Sequence, residues 1–211
     1  MIAFTNETVP AISASLDFFN VMAYDLMNRR DTVTRHHTSL LHSLDSVNAY
    51  LEKDVEPEKI NLGLAYYVKW FRTTHDPRCL EKPTGCPTVL LEDPVTGADL
   101  GQAGAFSWHD RVPSELAASF ERAKLGGEYD HFQGGYSFWD AEEDIFWSWD
   151  TPKSIRKKFP AIVDEKQLGD VFAWGLGEDA PDFAHLDATV DGLQKYTAVN
   201  PQGREKGKDE L

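Results

Sequence analysis

The chain has 211 residues, 41% hydrophobic and 27% charged, the composition of one sizeable folded domain or part of a larger one. Its 21 Lys and Arg against 35 Asp and Glu give −14 at pH 7, a charge that repels nucleic-acid phosphates and anionic lipid. No apolar run approaches the roughly 20 residues needed to cross a bilayer. Neither nucleic acid nor a membrane is therefore expected as a partner; the expected ligand is neutral or cationic, and no oligomeric state is implied.

In chain order, residues 16–23 (LDFFNVMA) form a nearly continuous apolar run ending in Tyr24 and Asp25, the pattern of a buried parallel strand. A polar connection follows, then Leu44, Val47, Leu51 and Val55 recur at helical spacing, predicting a helix over 43–54 that Pro57 stops. Residues 60–68 (INLGLAYYV) read as a second buried strand, completing a βαβ unit. From about 72 to 144 the chain turns rich in Gly and Pro. A short helix is expected over 114–124, and a hairpin pairing 135–139 with 145–149 across Ala141, Glu142, Glu143 and Asp144. Such a stretch is too long for an ordinary connection and reads as a small α+β insertion. Thr151 and Pro152 then open a helix with Ile155 and Phe159 inward. Residues 169–174 (GDVFAW) give a third buried strand, 182–196 an amphipathic helix, and the chain from 200 a disordered tail.

Two features concern location. Lys208, Asp209, Glu210 and Leu211 form the signal that returns escaped proteins to the endoplasmic reticulum, and Asn6-Glu7-Thr8 is a glycosylation sequon. Both act only on a chain that has entered the secretory pathway, yet no signal peptide precedes them, so an upstream beginning is expected to be missing. Cys79 and Cys86 are the only cysteines, in a loop with Pro83 and Gly85. They read as a small disulfide loop in preference to two free thiols, since two Cys cannot make a zinc site alone. His36, His37 and His42 in a polar loop read as exposed residues and not as metal ligands. Residues 93–99 (DPVTGAD) read as a turn, because a calcium loop would need a bidentate Glu at the right offset.

Each apolar strand ends in residues a plain core does not need: Met22, Tyr24 and Asp25; Tyr66, Tyr67 and Lys69; Trp174 and Glu178. The carboxyl ends of parallel strands face the ligand crevice. Aromatic faces with a few carboxylates suit a sugar, whose C–H face stacks on a ring while its hydroxyls and amides hydrogen-bond.

Residues 19–25 (FNVMAYD) resemble the sixth-strand M-x-Y-D motif of glycoside hydrolase family 18, the chitinase family, here in its fungal form. Residues 61–67 (NLGLAYY) are similar to that family's seventh strand, and 172–175 (FAWG) to its eighth with the terminal Trp. Residues 86–110 resemble the insertion of fungal members. The resemblance implies an α/β fold: part of a TIM (β/α)8 barrel, about strands 6 to 8, with a small α+β insertion between the last two. The implied division is 1–71 (strands 6 and 7 with their helix), 72–149 (insertion), 150–197 (last helix, strand and helix) and 198–211 (tail).

The same resemblance implies chitin or N-acetylglucosamine oligosaccharides as ligand and no cofactor. It assigns Tyr24 to hold the substrate's acetamido group for attack and Asp25 to bind the sugar and support the acid's hydrogen bonds. Met22 and Tyr67 line the pocket, and Trp174 forms its floor. Lys69 stands where the family carries Arg, keeping the charge without the planar fork. The general acid, the Glu of a DxxDxDxE motif, has no match in the 211 residues, and Glu178 and the 142–144 cluster are not substitutes. The chain alone is therefore expected to be inactive and, with open strand edges, prone to aggregate. A non-catalytic glycan-binding protein is the alternative.

Overall fold

A computed structural model describes residues 4–199, with side chains described as far as 196. The short helix α1 (Val9–Ser13) precedes β1 (Phe19–Val21), α2 (Leu40–Leu51) and β2 (Ile60–Ala65). Next come β3 (Tyr67–Arg72), β4 (Ala103–Ser107), α3 (Ala117–Gly126), β5 (Glu128–Tyr129), β6 (Tyr136–Asp140) and β7 (Ile145–Trp149). The chain ends with α4 (Pro152–Lys158), β8 (Asp170–Trp174) and α5 (Ala184–Val199).

Three of these strands make a parallel sheet in the order β1-β2-β8, with Leu62 of β2 opposite both Val21 and Val171. As the central strand, β2 is almost wholly apolar because both its faces are covered. Ile60, Leu62 and Leu64 pack with Val21, Ile155, Phe159, Ile162 and Val163 in one core. Ser39 caps α2 by accepting from His42 N, and Thr151 and Ser154 form the reciprocal cap that starts α4. Beyond α4 the helix widens into a π-turn over Phe159–Asp164.

The second sheet is antiparallel, in the order β4-β3-β7-β6-β5. On one face α3 places Phe120 and Ala123 against Val68, Ile145 and Trp147. On the other, Met27, Leu91 and the disulfide Cys79–Cys86 cover Phe71, Trp139 and Phe146. A buried polar cluster ties this sheet to the parallel layer. Lys158 Nζ donates to Asp150 Oδ2 (2.6 Å) and Thr38 Oγ1 (2.7 Å), while the Thr38 hydroxyl donates to Asp150 Oδ2 (3.0 Å).

The structure keeps the three strands, the hairpin and the disulfide loop and moves several boundaries; β8, an edge strand, is not buried as expected, since Asp170, Val171, Phe172 and Ala173 are half-buried and Trp174 is exposed. β1 is shorter than the apolar run, because pairing with β2 begins at Phe19 opposite Ile60 and leaves Leu16 and Phe18 exposed. Helix α2 starts earlier, where Ser39 caps it, and stops at Leu51; Asp54 then takes a left-handed conformation (φ +59°). The run at 60–68 is two strands in two sheets, split at Tyr66, so the antiparallel unit begins at Tyr67 and not at about 72. Helix α5 starts at Ala184, because Asp182 and Phe183 both have positive φ. The tail from 200 and its terminal KDEL lie outside the described residues.

Candidate functional site

The carboxyl ends of the three parallel strands converge. After β1 the chain runs through Met22 and Tyr24 to Asp25, whose left-handed backbone (φ +55°) suits Asp better than most residues and turns the chain sharply. From the end of β2 only Tyr66 intervenes before β3, where Tyr67 and Lys69, two residues apart, share one face. At the end of β8, Gly175 (φ +78°) lets the chain turn back so that Glu178 N donates to its carbonyl. Met22, Tyr24, Asp25, Tyr67 and Trp174 all line one cavity of about 370 Å³. The structure thus brings together all five residues that the sequence assigned to the pocket.

Asp25 is the electrostatic centre of this crevice. Its Oδ1 accepts from the Tyr67 hydroxyl (2.8 Å) and from Lys69 Nζ (2.9 Å). Burial pushes the carboxyl up, but the Lys69 hydrogen bond and charge and the Tyr67 hydrogen bond outweigh it and hold Asp25 below the usual carboxylate range. Burial, with the Asp25 charge second, raises both Tyr24 and Tyr67, so both phenols stay protonated. Lys69 thus works as a point charge on one carboxylate oxygen. The Tyr24 ring meets Tyr67 edge-on at 6.2 Å and Trp174 at 6.5 Å. Trp174 is 55% exposed and Met22 64% exposed. The Tyr24 hydroxyl is buried and finds no hydrogen-bond partner among the described residues.

Three further polar residues join the crevice: Ser107, Asp110 and Glu178. Burial and the Asp110 charge hold the Glu178 carboxyl above its ordinary range, and Trp108 N donates to Glu178 O (3.1 Å), fixing its turn against the end of β4. Lys69 was signalled by its place two residues after Tyr67. Asp110 carried no local signal beyond ending the insertion motif.

Several expectations need correction. Tyr66 does not reach the crevice: it is fully buried, and its hydroxyl hydrogen-bonds Thr189 on α5 (2.5 Å). His36 and His37 are buried, not exposed, because the antiparallel unit packs over them, with Gly135 against the His36 ring and Ser148 Oγ accepting from His37 N. His36 Nε2 lies 3.3 Å from Asp130. His37 sits behind Asp25, with Nδ1 3.9 Å from Oδ1 and its ring 5.3 Å from that of Tyr67. Burial, with the Lys69 charge second, pushes His37 down to about 3, so it is neutral.

At the acidic turn Arg122 pairs with Asp140, Glu142 and Glu143. None of Glu142, Glu143 and Asp144 lines the crevice. Asp93 makes the expected turn, accepting from Val95 N and Thr96 N, and Asn6 lies exposed. Among the described residues no group of three or more His, Cys, Asp or Glu is placed to hold a metal ion, and no helix is long and apolar enough to cross a membrane.

Gly63 explains how the crevice floor closes. A Cβ there would lie 2.7 Å from Val21 O and 2.8 Å from the Tyr24 ring. Gly63→Ala is expected to cost about 1–3 kcal/mol through overpacking and to displace Tyr24, measured as a lower urea midpoint together with changed Tyr fluorescence. An unchanged midpoint would mean the strands can part freely here.

The crevice thus sets a Trp, two phenols and an ionised carboxylate at the carboxyl-end side of a parallel α/β layer. The model of glycosyl hydrolases family 18 matches residues 2–179, and the chain belongs to that family. It is 27% identical over 194 residues to chitinase 1 of Yersinia entomophaga, covering 81% of this chain and 34% of that protein. The structure is similar to a chitinase from Rhizomucor miehei (TM-score 0.70, 18% identity, 90% of this chain and 56% of that one). It is also similar to the family 18 chitinase of Cycas revoluta solved in complex with (GlcNAc)3 (TM-score 0.63, 22% identity, 88% of this chain and 49% of that one). The chain spans between 34% and 42% of the length of the curated relatives it matches.

Proposed function

We propose that the chain is the C-terminal portion of a family 18 chitinase-like hydrolase, acting on β-1,4-linked N-acetylglucosamine polymers by substrate-assisted, retaining hydrolysis. Its parallel strands are read as strands 6 to 8 of a TIM (β/α)8 barrel. The observation that carries the reading is the Tyr24 hydroxyl, buried without a partner among the described residues in a crevice floored by Trp174. A sugar ring stacks on Trp174, and its acetamido group takes the Tyr24 hydrogen bond, which aims the acetamido oxygen at the anomeric carbon. The substrate's own oxygen then replaces an enzyme nucleophile.

Asp25, kept ionised by Lys69 and Tyr67, helps bind the sugar and supports the hydrogen bonds of the acid. Protonation of the leaving group needs a general acid. The family's DxxDxDxE motif is not among these 211 residues, and Glu178 ends a different strand from the one that carries the motif. Without the acid, rate falls by roughly 10²–10⁴-fold or more. The chain is therefore read as inactive alone and completed by a segment carrying the motif. The exposed Asn6 sequon and the Cys79–Cys86 disulfide support a secreted or lumenal location.

Calorimetric titration with (GlcNAc)4 tests this reading. The chain is expected to bind the oligomer without cleaving it, and Trp174→Ala to weaken binding by about tenfold or more. Equal binding by Trp174→Ala would sink the crevice assignment. Cleavage by the chain alone would overturn the missing-acid assignment. A non-catalytic glycan-binding protein is the second reading, favoured by the same missing motif; supplying a DxxDxDxE segment without gaining hydrolysis would select it.

A further inference from the structure

At the far side of the antiparallel sheet lies a second cavity of about 470 Å³, which shares no residue with the crevice. The crevice is walled by β3 and β4, whereas this cavity lies against β5 and β6, at the opposite end of the strand order. Its walls are the disulfide loop at residues 80–84, the loop at 130–135 and the stretch of β6 from Ser137 to Trp139.

Both loops are tied down. Thr34 Oγ1 donates to Pro83 O (2.6 Å), Gly85 N donates to Thr34 O (2.7 Å), and Thr34 N donates to Cys86 O (2.8 Å). Asp130 Oδ1 accepts from Phe132 N (2.8 Å) and Gln133 N (3.0 Å), and the main chain closes on itself between Asp130 and Gly135. A site with fixed walls costs a ligand little ordering, and the volume falls within the roughly 300–1,000 Å³ of small-molecule sites.

The lining is unlike a core. Phe132 is 87% exposed and Leu80 64% exposed, and both border this one cavity. The other lining aromatics are less available: Trp139 is buried, Phe138 is half-buried, and Lys157 Nζ sits 3.6 Å above the Tyr129 ring. Three carboxylates (Glu81, Glu128 and Asp130) and the ammonium of Lys82 line the cavity, with the Lys157 ammonium beside it on Tyr129, so acid still exceeds base there. Asp130 is engaged by its own loop and by His36. Glu81 and Glu128 are exposed, and no salt bridge engages either among the described residues. Gln133 Nε2 lies 3.4 Å from Thr84 Oγ1, placing neutral hydrogen-bonding groups in the same wall.

We propose that this cavity binds a cationic amino sugar, a glucosamine unit of a β-1,4-linked chain. The C–H face of the ring lies on Phe132, the C2 ammonium sits between the carboxylates of Glu81 and Glu128, and ring hydroxyls reach Gln133 and Thr84. An N-acetylated unit has no charge to match the two carboxylates, and an anionic ligand is repelled by them. The proposal extends the glycan reading above to a de-N-acetylated chain, and the site stands without the crevice.

Titrating the full chain with a glucosamine pentamer and, separately, (GlcNAc)5 tests it. The glucosamine pentamer is expected to bind wild type and to weaken with added salt. Phe132→Ala and the double variant Glu81→Gln/Glu128→Gln should each lower its affinity by about tenfold, and Trp174→Ala should leave it unchanged. The three cavity residues substituted are exposed, so circular dichroism should match wild type. No binding to wild type, or binding that survives both cavity variants, overturns the proposal. Equally tight binding of a lysine pentamer through the same residues would also overturn it, making the cavity a cationic-peptide site. Loss of (GlcNAc)5 binding alone would sink only the crevice reading.

Discussion

Replacing Lys158 by Met is expected to destabilise the protein by about 3–5 kcal/mol, because it leaves the carboxylate of Asp150 buried and unpaired. Both side chains are fully shielded from solvent. Asp150 also accepts from Thr38 and from Ser154 (2.7 Å), so the acid cannot swing out to water when its partner is lost. Urea unfolding at pH 7 measures the cost; a loss below about 1 kcal/mol, the size of an exposed pair, would show that the interior there is wet.

The pH dependence supplies a sign. Burial raises the Asp150 carboxyl, but the Lys158 charge and hydrogen bond outweigh it and hold the carboxyl below its ordinary value. The folded acid therefore binds its proton less readily than the unfolded one, whose pKa is about 3.9. The contribution of the pair is complete above that value and is lost as the pH falls towards the folded-state value. In Lys158→Met the carboxyl is raised instead, so acid narrows the stability gap between variant and wild type.

Trp147→Ala carries the other large expected loss, about 3–5 kcal/mol for deleting a buried Trp. Its ring stands 5.0 Å from Phe120 and 5.9 Å from Phe106, and its Nε1 donates to Ser119 Oγ (2.9 Å). The substitution leaves a cavity under α3 and removes the donor to Ser119 Oγ, whose hydroxyl keeps its hydrogen bond to Asp140. Thermal unfolding followed by near-ultraviolet circular dichroism should show a lower midpoint. A shift indistinguishable from zero would mean that α3 collapses onto the sheet and refills the space.

What could be read from the sequence follows from how local each signal is. The residues 22–25 that end β1, the Trp at the end of β8 and the Cys79–Cys86 loop were legible because each lies within a few residues of its own context. The break at Tyr66 was not. Residues 60–65 are buried in one sheet and Tyr67, Val68 and Phe71 in another, so the apolar run never changes character where the sheet does. The histidine pair misled for a related reason. A polar neighbourhood in sequence says a loop is exposed, but the insertion folds over His36 and His37, and Ser148 of β7 receives the His37 N–H (3.1 Å). Asp110 and Glu178 meet only because the turn after β8 docks against the end of β4, a contact no periodicity announces. Of the crevice, the sequence named the aromatic floor, the central acid and Glu178; Asp110 came from topology.

The single residue between β2 and β3 has a mechanical meaning. A mobile lid needs a few residues free to change their backbone angles, and here the only candidate is Tyr66, buried and hydrogen-bonded to α5. With Lys158 and Asp150 clamping the return path after β7, both attachments of the insertion are locked. The crevice wall bearing Tyr67 and Lys69 is thus expected to move with the parallel strands as one body. On the proposed reading a glycan would enter a crevice that is already open, and release would be governed by how well the sugar stacks and not by the opening of a gate.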